Sequence, residues 1–130
     1  MNAVGSVRVL TVDDHATFRE AARALVAATA GFESVGEATT AEEGIAAAIR
    51  LHPDLVLLDV MLPGMNGYEA ARQMAPAIPG ALICLMSASD GAIEGDFAER
   101  CGATAFVRKQ DLRPTLLQTL WQSHADAHPG

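Results

Sequence analysis

Apolar residues in this chain gather in five short runs, each followed by a stretch that is polar or has its apolar residues at helical spacing. "VRVLTV" at 7 to 12 is the first run. Behind it Phe18, Ala21, Ala22, Leu25 and Val26 fall along one side of a helix, since 3.6 residues complete a turn. "FESVGEA" at 32 to 38 is a shorter, more polar strand. A second helix starts at Thr40, whose hydroxyl is placed to cap it, with Glu43 three residues on to complete a capping box. Pro53 separates that helix from "DLVLLDV" at 54 to 60, a nearly unbroken apolar run of the kind buried on both faces of a sheet.

After a Pro-Gly loop at 63 and 64 a helix is expected over roughly 66 to 75, and "ALICLM" at 81 to 86 reads as the fourth strand. A helix over 90 to 101 carries Gly91 and Gly95 inside it. Each glycine costs about 1 kcal/mol relative to alanine, so this helix is expected to be the most mobile. "ATAFVR" at 103 to 108 is the last strand, and Asp111 is placed to cap a final helix with a stripe of Leu112, Leu116, Leu120 and Trp121. That stripe reads as core packing, with Trp121 also a candidate for a homodimer or effector surface. Met74 and Met86 read as core filling.

Strands alternating with helices over short connections imply an α/β fold, a doubly wound five-stranded parallel sheet with helices on both faces. The first, third and fourth strands are the most apolar and belong in the middle, with the second and fifth at the edges. The resulting order is 2-1-3-4-5, and ligands of such a sheet sit outside the carboxyl ends of its strands. Residues 1–130 read as a single domain, with an ordered core of about 7–122 and loose tails at 1–5 and 123–130. No internal repeat or low-complexity tract interrupts it.

Charge narrows the function. The net charge is -7 and no basic cluster occurs, so the domain is not expected to bind nucleic acid or an anionic membrane surface. The N-terminus lacks the pattern of a leader, and no apolar run reaches membrane-spanning length. Cys84 and Cys101 lack metal-ligand spacing and read as buried thiols in a reducing cytoplasm.

The carboxyl ends of the strands hold the candidate chemistry. The first ends in Asp13 and Asp14, the third in Asp59, the fourth in Ser87 and the fifth in Lys109. Asp54, at the start of its strand, falls on the opposite edge and reads as structural or solvated. Three ionised carboxylates would raise one another's pKa values unless neutralised. Lys109 supplies one positive charge and a divalent ion would cancel the rest. Hard oxygen donors suit Mg2+, which often shares its coordination with phosphate. Lys109 is the only lysine among nine basic residues, the others being arginine. A slim ammonium fits where a planar guanidinium would not.

"VLTVDDH", "PDLVLLDVMLPGMNGYE", "LMSAS" and "GATAFVRK", in this order and spacing, resemble the receiver domain of two-component response regulators. The resemblance covers about residues 7 to 121 and implies the flavodoxin-like receiver fold. It implies that Asp59 is the phosphoacceptor, taking a phosphoryl group from a sensor histidine kinase or phosphotransfer protein. Asp14 and Asp59 would ligate Mg2+, with Asp13 acting mainly through water and the Met61 backbone carbonyl completing the protein ligands. Lys109 would pair with Asp59 and then with the phosphoryl oxygens, Ser87 would hydrogen-bond the phosphoryl group, and Phe106 would turn inward. The face made by the fourth helix, fifth strand and fifth helix would then be read by an output domain or effector protein.

"VDDHATFRE" and "GFESVGEATTAEEGI" lean toward the helix-turn-helix output subfamily, so transcription is the expected output. A stand-alone or phosphorelay receiver is the alternative, as is a degenerate receiver that is not phosphorylated. The domain is expected to be a cytoplasmic phosphoacceptor that assists its own phosphorylation and dephosphorylation, without being an enzyme in its own right.

Departures from the family pattern carry expectations of their own. Gln110 follows Lys109 where proline in a cis bond is usual, and Phe106 replaces a frequent tyrosine. Met61 and Ser89 stand where polar groups often orient water, so autodephosphorylation is expected to be slow. His15 reads as a loop residue and not a catalyst, and His124 and His128 as at most an incidental metal pair. Two other classes fit less well. A flavodoxin-like cofactor binder would not place two anions after the first strand. A haloacid-dehalogenase-type phosphatase needs a second aspartate where Met61 stands.

Overall fold

All five residues of β3 (Leu55–Asp59) are buried, and this strand organises the architecture. Successive side chains of a strand point to opposite faces. Val56 and Leu58 therefore enter one core, whose cover comes from α2 (Ala41–Leu51) and α3 (Gly67–Met74). Leu55 and Leu57 enter the other, covered by α1 (Ala16–Ala27) and the C-terminal helix Pro114–Ala127. The neighbouring β1 (Val7–Val12) and β4 (Leu82–Ser87) divide in the same way. Leu10, Val12, Ile83 and Leu85 face the first core, while Val7, Val9, Cys84 and Met86 face the second. Each fully buried side chain of this size contributes about 1.5–3 kcal/mol, so the two-sided strands hold the fold.

The computed structural model describes residues 6–88, 103 and 105–127. Its sheet is parallel throughout, in the order β2-β1-β3-β4-β5, with β2 (Phe32–Ala38) and β5 (Ala105–Arg108) at the edges. This is the arrangement expected from the relative apolarity of the runs. The expected helix over 90 to 101 and Cys101 lie outside the described residues. Met74 and Met86 are core residues, as expected, and so is Cys84, whose burial pushes its thiol up to about 12. No helix among the described residues is long and apolar enough to cross a membrane.

The starts of α2 and α3 follow side-chain capping, with one revision. The Thr40 hydroxyl accepts from the Glu43 N–H at 3.1 Å. The Glu43 carboxylate, however, accepts from the Thr39 N–H at 2.9 Å and the Thr39 hydroxyl at 2.8 Å. The return arm of the box thus closes one residue before the cap. Those bonds to Thr39 hold the Glu43 carboxyl below its ordinary range. Asn66 caps α3 by accepting from the Glu69 N–H at 2.9 Å.

The C-terminal end departs further from expectation. Asp111 does not cap the last helix. It closes a 3-10 turn, Lys109–Asp111, and accepts from Arg108 Nε at 3.0 Å. The helix begins instead at Pro114, whose ring fixes a helical φ and which has no N–H to leave unpaired. It continues through Ala127, so residues 123–127 are helical and not a loose tail. Leu112, Leu120 and Trp121 pack against the second core, but the fully buried leucine is Leu117, outside the expected stripe. His124 is buried with Nε2 3.0 Å from the Gly80 carbonyl oxygen, which ties the helix to the turn before β4. Of the His124 and His128 pair, read as at most an incidental metal site, His128 lies outside the described residues.

Candidate functional site

Strand register brings the chemistry together. Asp59 of β3 pairs with Met86 of β4, and the following residue, Ser87, pairs with Arg108 of β5. Lys109 is thus the first residue beyond the β5 edge, and its stem lies over the carboxyl ends of the central strands. Its ammonium sits 2.5 Å from Asp13 Oδ2 and 3.4 Å from Asp59 Oδ2. Asp13 and Asp59 are buried, and the Lys109 side chain is 12% exposed. Asp14 stands at the mouth of the cleft.

Each carboxylate is held by neighbouring backbone. Asp13 Oδ1 accepts from the His15 N–H at 2.8 Å, and Arg19 Nη1 donates to the Asp13 carbonyl at 2.8 Å. Asp59 Oδ1 accepts from the Met61 N–H at 3.0 Å. The Asp59 main chain is fixed by α3. Gly67 donates its N–H to the Val60 carbonyl at 2.9 Å, and a Cβ on Gly67 would lie 2.3 Å from the Asp59 carbonyl oxygen. Only glycine lets the helix start so close to the acid.

Burial pushes the Asp59 carboxyl above its ordinary value. The Met61 N–H opposes that shift, the Asp13 charge adds to it, and Lys109 draws it back. Asp13 Oδ2 is buried and in ion contact with the Lys109 ammonium at 2.5 Å.

The residues present fit a divalent cation. Asp13, Asp14, His15 and Asp59 each offer one ligand atom, all within 4.8 Å of one another. Three carboxylates and one ammonium leave a formal charge of -2, which a single divalent ion would balance. The oxygen-rich donor set suits a hard ion.

Of the residues singled out from sequence, Asp13, Asp14, Asp59 and Lys109 are brought into one cleft. Ser87 lies buried at the end of β4, and Phe106 is half-buried against the first core. Met61 is 74% exposed beside Asp59. Gln110 lies within the 3-10 turn, and no peptide bond among the described residues is cis.

Three contributors escaped the sequence reading. His15 Nδ1 approaches Asp13 Oδ1 at 2.9 Å and Asp14 Oδ1 at 3.3 Å, so this residue belongs to the pocket. Its signal was its place two residues after Asp13, the spacing of an N–H-to-carboxylate turn. Phe18 serves the apolar face of α1 as expected, but its ring also lies 4.4 Å from the Lys109 ammonium. Such a contact contributes about 0.5–1 kcal/mol. Arg19 reads locally as a solvent-facing helix residue, and only the fold shows it reaching the Asp13 carbonyl.

Comparison with known proteins agrees with this geometry. Residues 9–120 match the family model described as response regulator receiver domain. The Escherichia coli nitrate/nitrite response regulator NarL is 35% identical over 118 residues, 90% of this chain and 54% of that protein. The Bacillus subtilis transcriptional regulatory protein LiaR is 35% identical over 81 residues, 62% of this chain and 38% of that protein. The chain thus spans about half or less of the length of these relatives.

Among solved structures, the receiver domain of the putative response regulator NarL from Mycobacterium tuberculosis superposes with a TM-score of 0.82. It is 28% identical, with 92% of this chain and 97% of that one covered. A LuxR-family response regulator from Aurantimonas is 31% identical with a TM-score of 0.81, over 93% of this chain and 86% of that one. With the family model spanning the sheet and the acidic cleft, this chain belongs to the receiver domains of two-component response regulators.

Proposed function

We propose that this domain accepts a phosphoryl group on Asp59 from the phosphohistidine of a sensor kinase or phosphotransfer partner. In that step an Asp59 carboxylate oxygen bonds to phosphorus, the phosphorus–nitrogen bond breaks, and the imidazole leaves. Such transfers depend mainly on positioning and charge neutralisation. The observation that carries the reading is Lys109, whose ammonium lies between the Asp13 and Asp59 carboxylates at the open end of the sheet. It is placed to follow negative charge from the carboxylate onto the phosphoryl oxygens.

Asp14, Asp59 and the Met61 carbonyl would hold Mg2+, with Asp13 acting through water. Bound there, the ion supplies the positive charge that Lys109 alone does not. Ser87 would donate its hydroxyl to the phosphoryl group and Phe106 would move inward, altering the surface around β5 and the C-terminal helix. The longer relatives are named as response and transcriptional regulators, which supports transcription as the output.

Intact mass after incubation with acetyl phosphate and Mg2+ tests the reading. Wild type gains one phosphoryl group and Asp59→Asn gains none. An unlabelled wild type with donor and metal in excess, or equal labelling of the variant, would remove the proposal.

A further inference from the structure

We propose that Phe18 is a positioning residue for Lys109, its ring holding the ammonium over the carboxyl ends of β1 and β3 where the phosphoryl oxygens would arrive. The inference rests on the reading that Asp59 accepts a phosphoryl group beside Lys109, and extends it to what sets the position of that lysine.

Contact geometry is the first support. The Lys109 ammonium lies over the Phe18 ring, 4.4 Å from its centroid, with Asp13 Oδ2 at 2.5 Å and Asp59 Oδ2 at 3.4 Å. A cation within about 6 Å of a ring centroid is drawn to the negative face of the ring, and more strongly where water is excluded. The Lys109 side chain is only 12% exposed, so little water competes for the ammonium.

Anchoring is the second. Phe18 packs against the second core, and α1 is held below it by the buried Ala22 and Val26. The next residue, Arg19, donates from Nη1 to the Asp13 carbonyl at 2.8 Å. One turn of α1 therefore fixes the main chain of an acid and the head of the lysine together. Lys109 itself leaves a 3-10 turn beyond β5 on a flexible four-carbon stem, and needs something rigid to end against.

Charge explains why a ring is useful beside two carboxylates. Attraction to the acids outweighs a cation–π contact in the resting protein, and it favours Asp13, the nearer of the two. Both acids belong to the proposed metal and phosphoryl positions, so their hold on the ammonium changes as the reaction proceeds. An aromatic ring takes up neither group. Its contact persists, and keeps the ammonium at the cleft while the carboxylates are engaged.

The test uses the fact that Lys109 is the only lysine of the chain, so isotope-labelled lysine gives a single set of side-chain resonances. In unphosphorylated, metal-free wild type the ε-methylene protons lie upfield, shifted by the ring current of Phe18, and they return downfield in Phe18→Leu. The rate of labelling by acetyl phosphate with Mg2+, read by intact mass, falls about two- to fivefold in Phe18→Leu, the scale of one cation–π contact. Trifluorophenylalanine placed at position 18 alone keeps the shape and apolar packing of the ring but weakens its negative face, and slows labelling in the same direction. Equal ε-methylene shifts in wild type and Phe18→Leu overturn the proposal. So does labelling of the trifluorophenylalanine protein at the wild-type rate, because Phe18 would then serve packing alone. Failure of wild type to take any label would strike the phosphoacceptor reading, and this proposal with it, even where the lysine resonances show the ring contact.

Discussion

Asp54 and Asp59 sit at opposite ends of the same central strand segment, and the two ends treat a carboxylate in opposite ways. At the amino edge Asp54 Oδ2 accepts from the Arg8 N–H at 2.9 Å. Its main chain joins Arg8 of β1 to Leu82 of β4 through bonds of 2.8 and 2.9 Å. The Arg8 guanidinium closes α2 by donating to the Leu51 and His52 carbonyls at 2.7 and 2.9 Å. Charge there is matched to partners and stabilises the fold. At the carboxyl edge three carboxylates face one ammonium. One edge has its charges matched by partners, and the other gathers more carboxylates than cations.

The contrast is most exposed by Lys109→Met. Removing the ammonium leaves Asp13 and Asp59 facing each other in a buried site, and the expected loss is about 3 kcal/mol at neutral pH. Denaturant unfolding measures it, and an unchanged midpoint would show that Lys109 does not compensate the acids. Asp54→Ala should cost less, about 2 kcal/mol, through a charge-assisted bond to a backbone N–H. The same unfolding experiment checks it.

Asp59→Asn should have the opposite sign, raising stability by about 1 kcal/mol in metal-free protein. Burial raises the Asp59 carboxyl above its ordinary value of 3.8, so the folded state binds its proton more tightly than the unfolded chain does. Wild type therefore carries the full burial penalty above the raised value. The penalty shrinks as pH falls through it, and the two proteins converge below 3.8. Unfolding midpoints of wild type and Asp59→Asn across that range measure the gap. A gap that stays constant with pH would show that ionisation of Asp59 is not its source.

Much of this contrast was legible in the sequence because it depends on strand ends. "DLVLLDV" marks a strand buried on both faces, so its first and last acids must emerge at opposite edges. The sheet order followed from relative apolarity, and Asp13, Asp59 and Lys109 followed from the order. What was illegible depends on contacts between residues distant in sequence or on competition among local signals. His124 bonds to Gly80, 44 residues away, and nothing near either residue announces it. Asp111 resembles a cap, but the fixed backbone of Pro114 sets the helix start and Arg108 claims the carboxylate. His15 reads as a loop residue in the sequence, whereas its neighbours in space are the acids of two strands.

The methyl-sized gap that is missing at Gly67 has a mechanical consequence. The first turn of α3 rests directly on the peptide of Asp59, so there is no slack between the acid and the helix. A displacement of that peptide cannot be absorbed at the joint. The helix must tilt with it, and whatever grips α3 from outside would feel a change at the acid as a shove from a rigid rod.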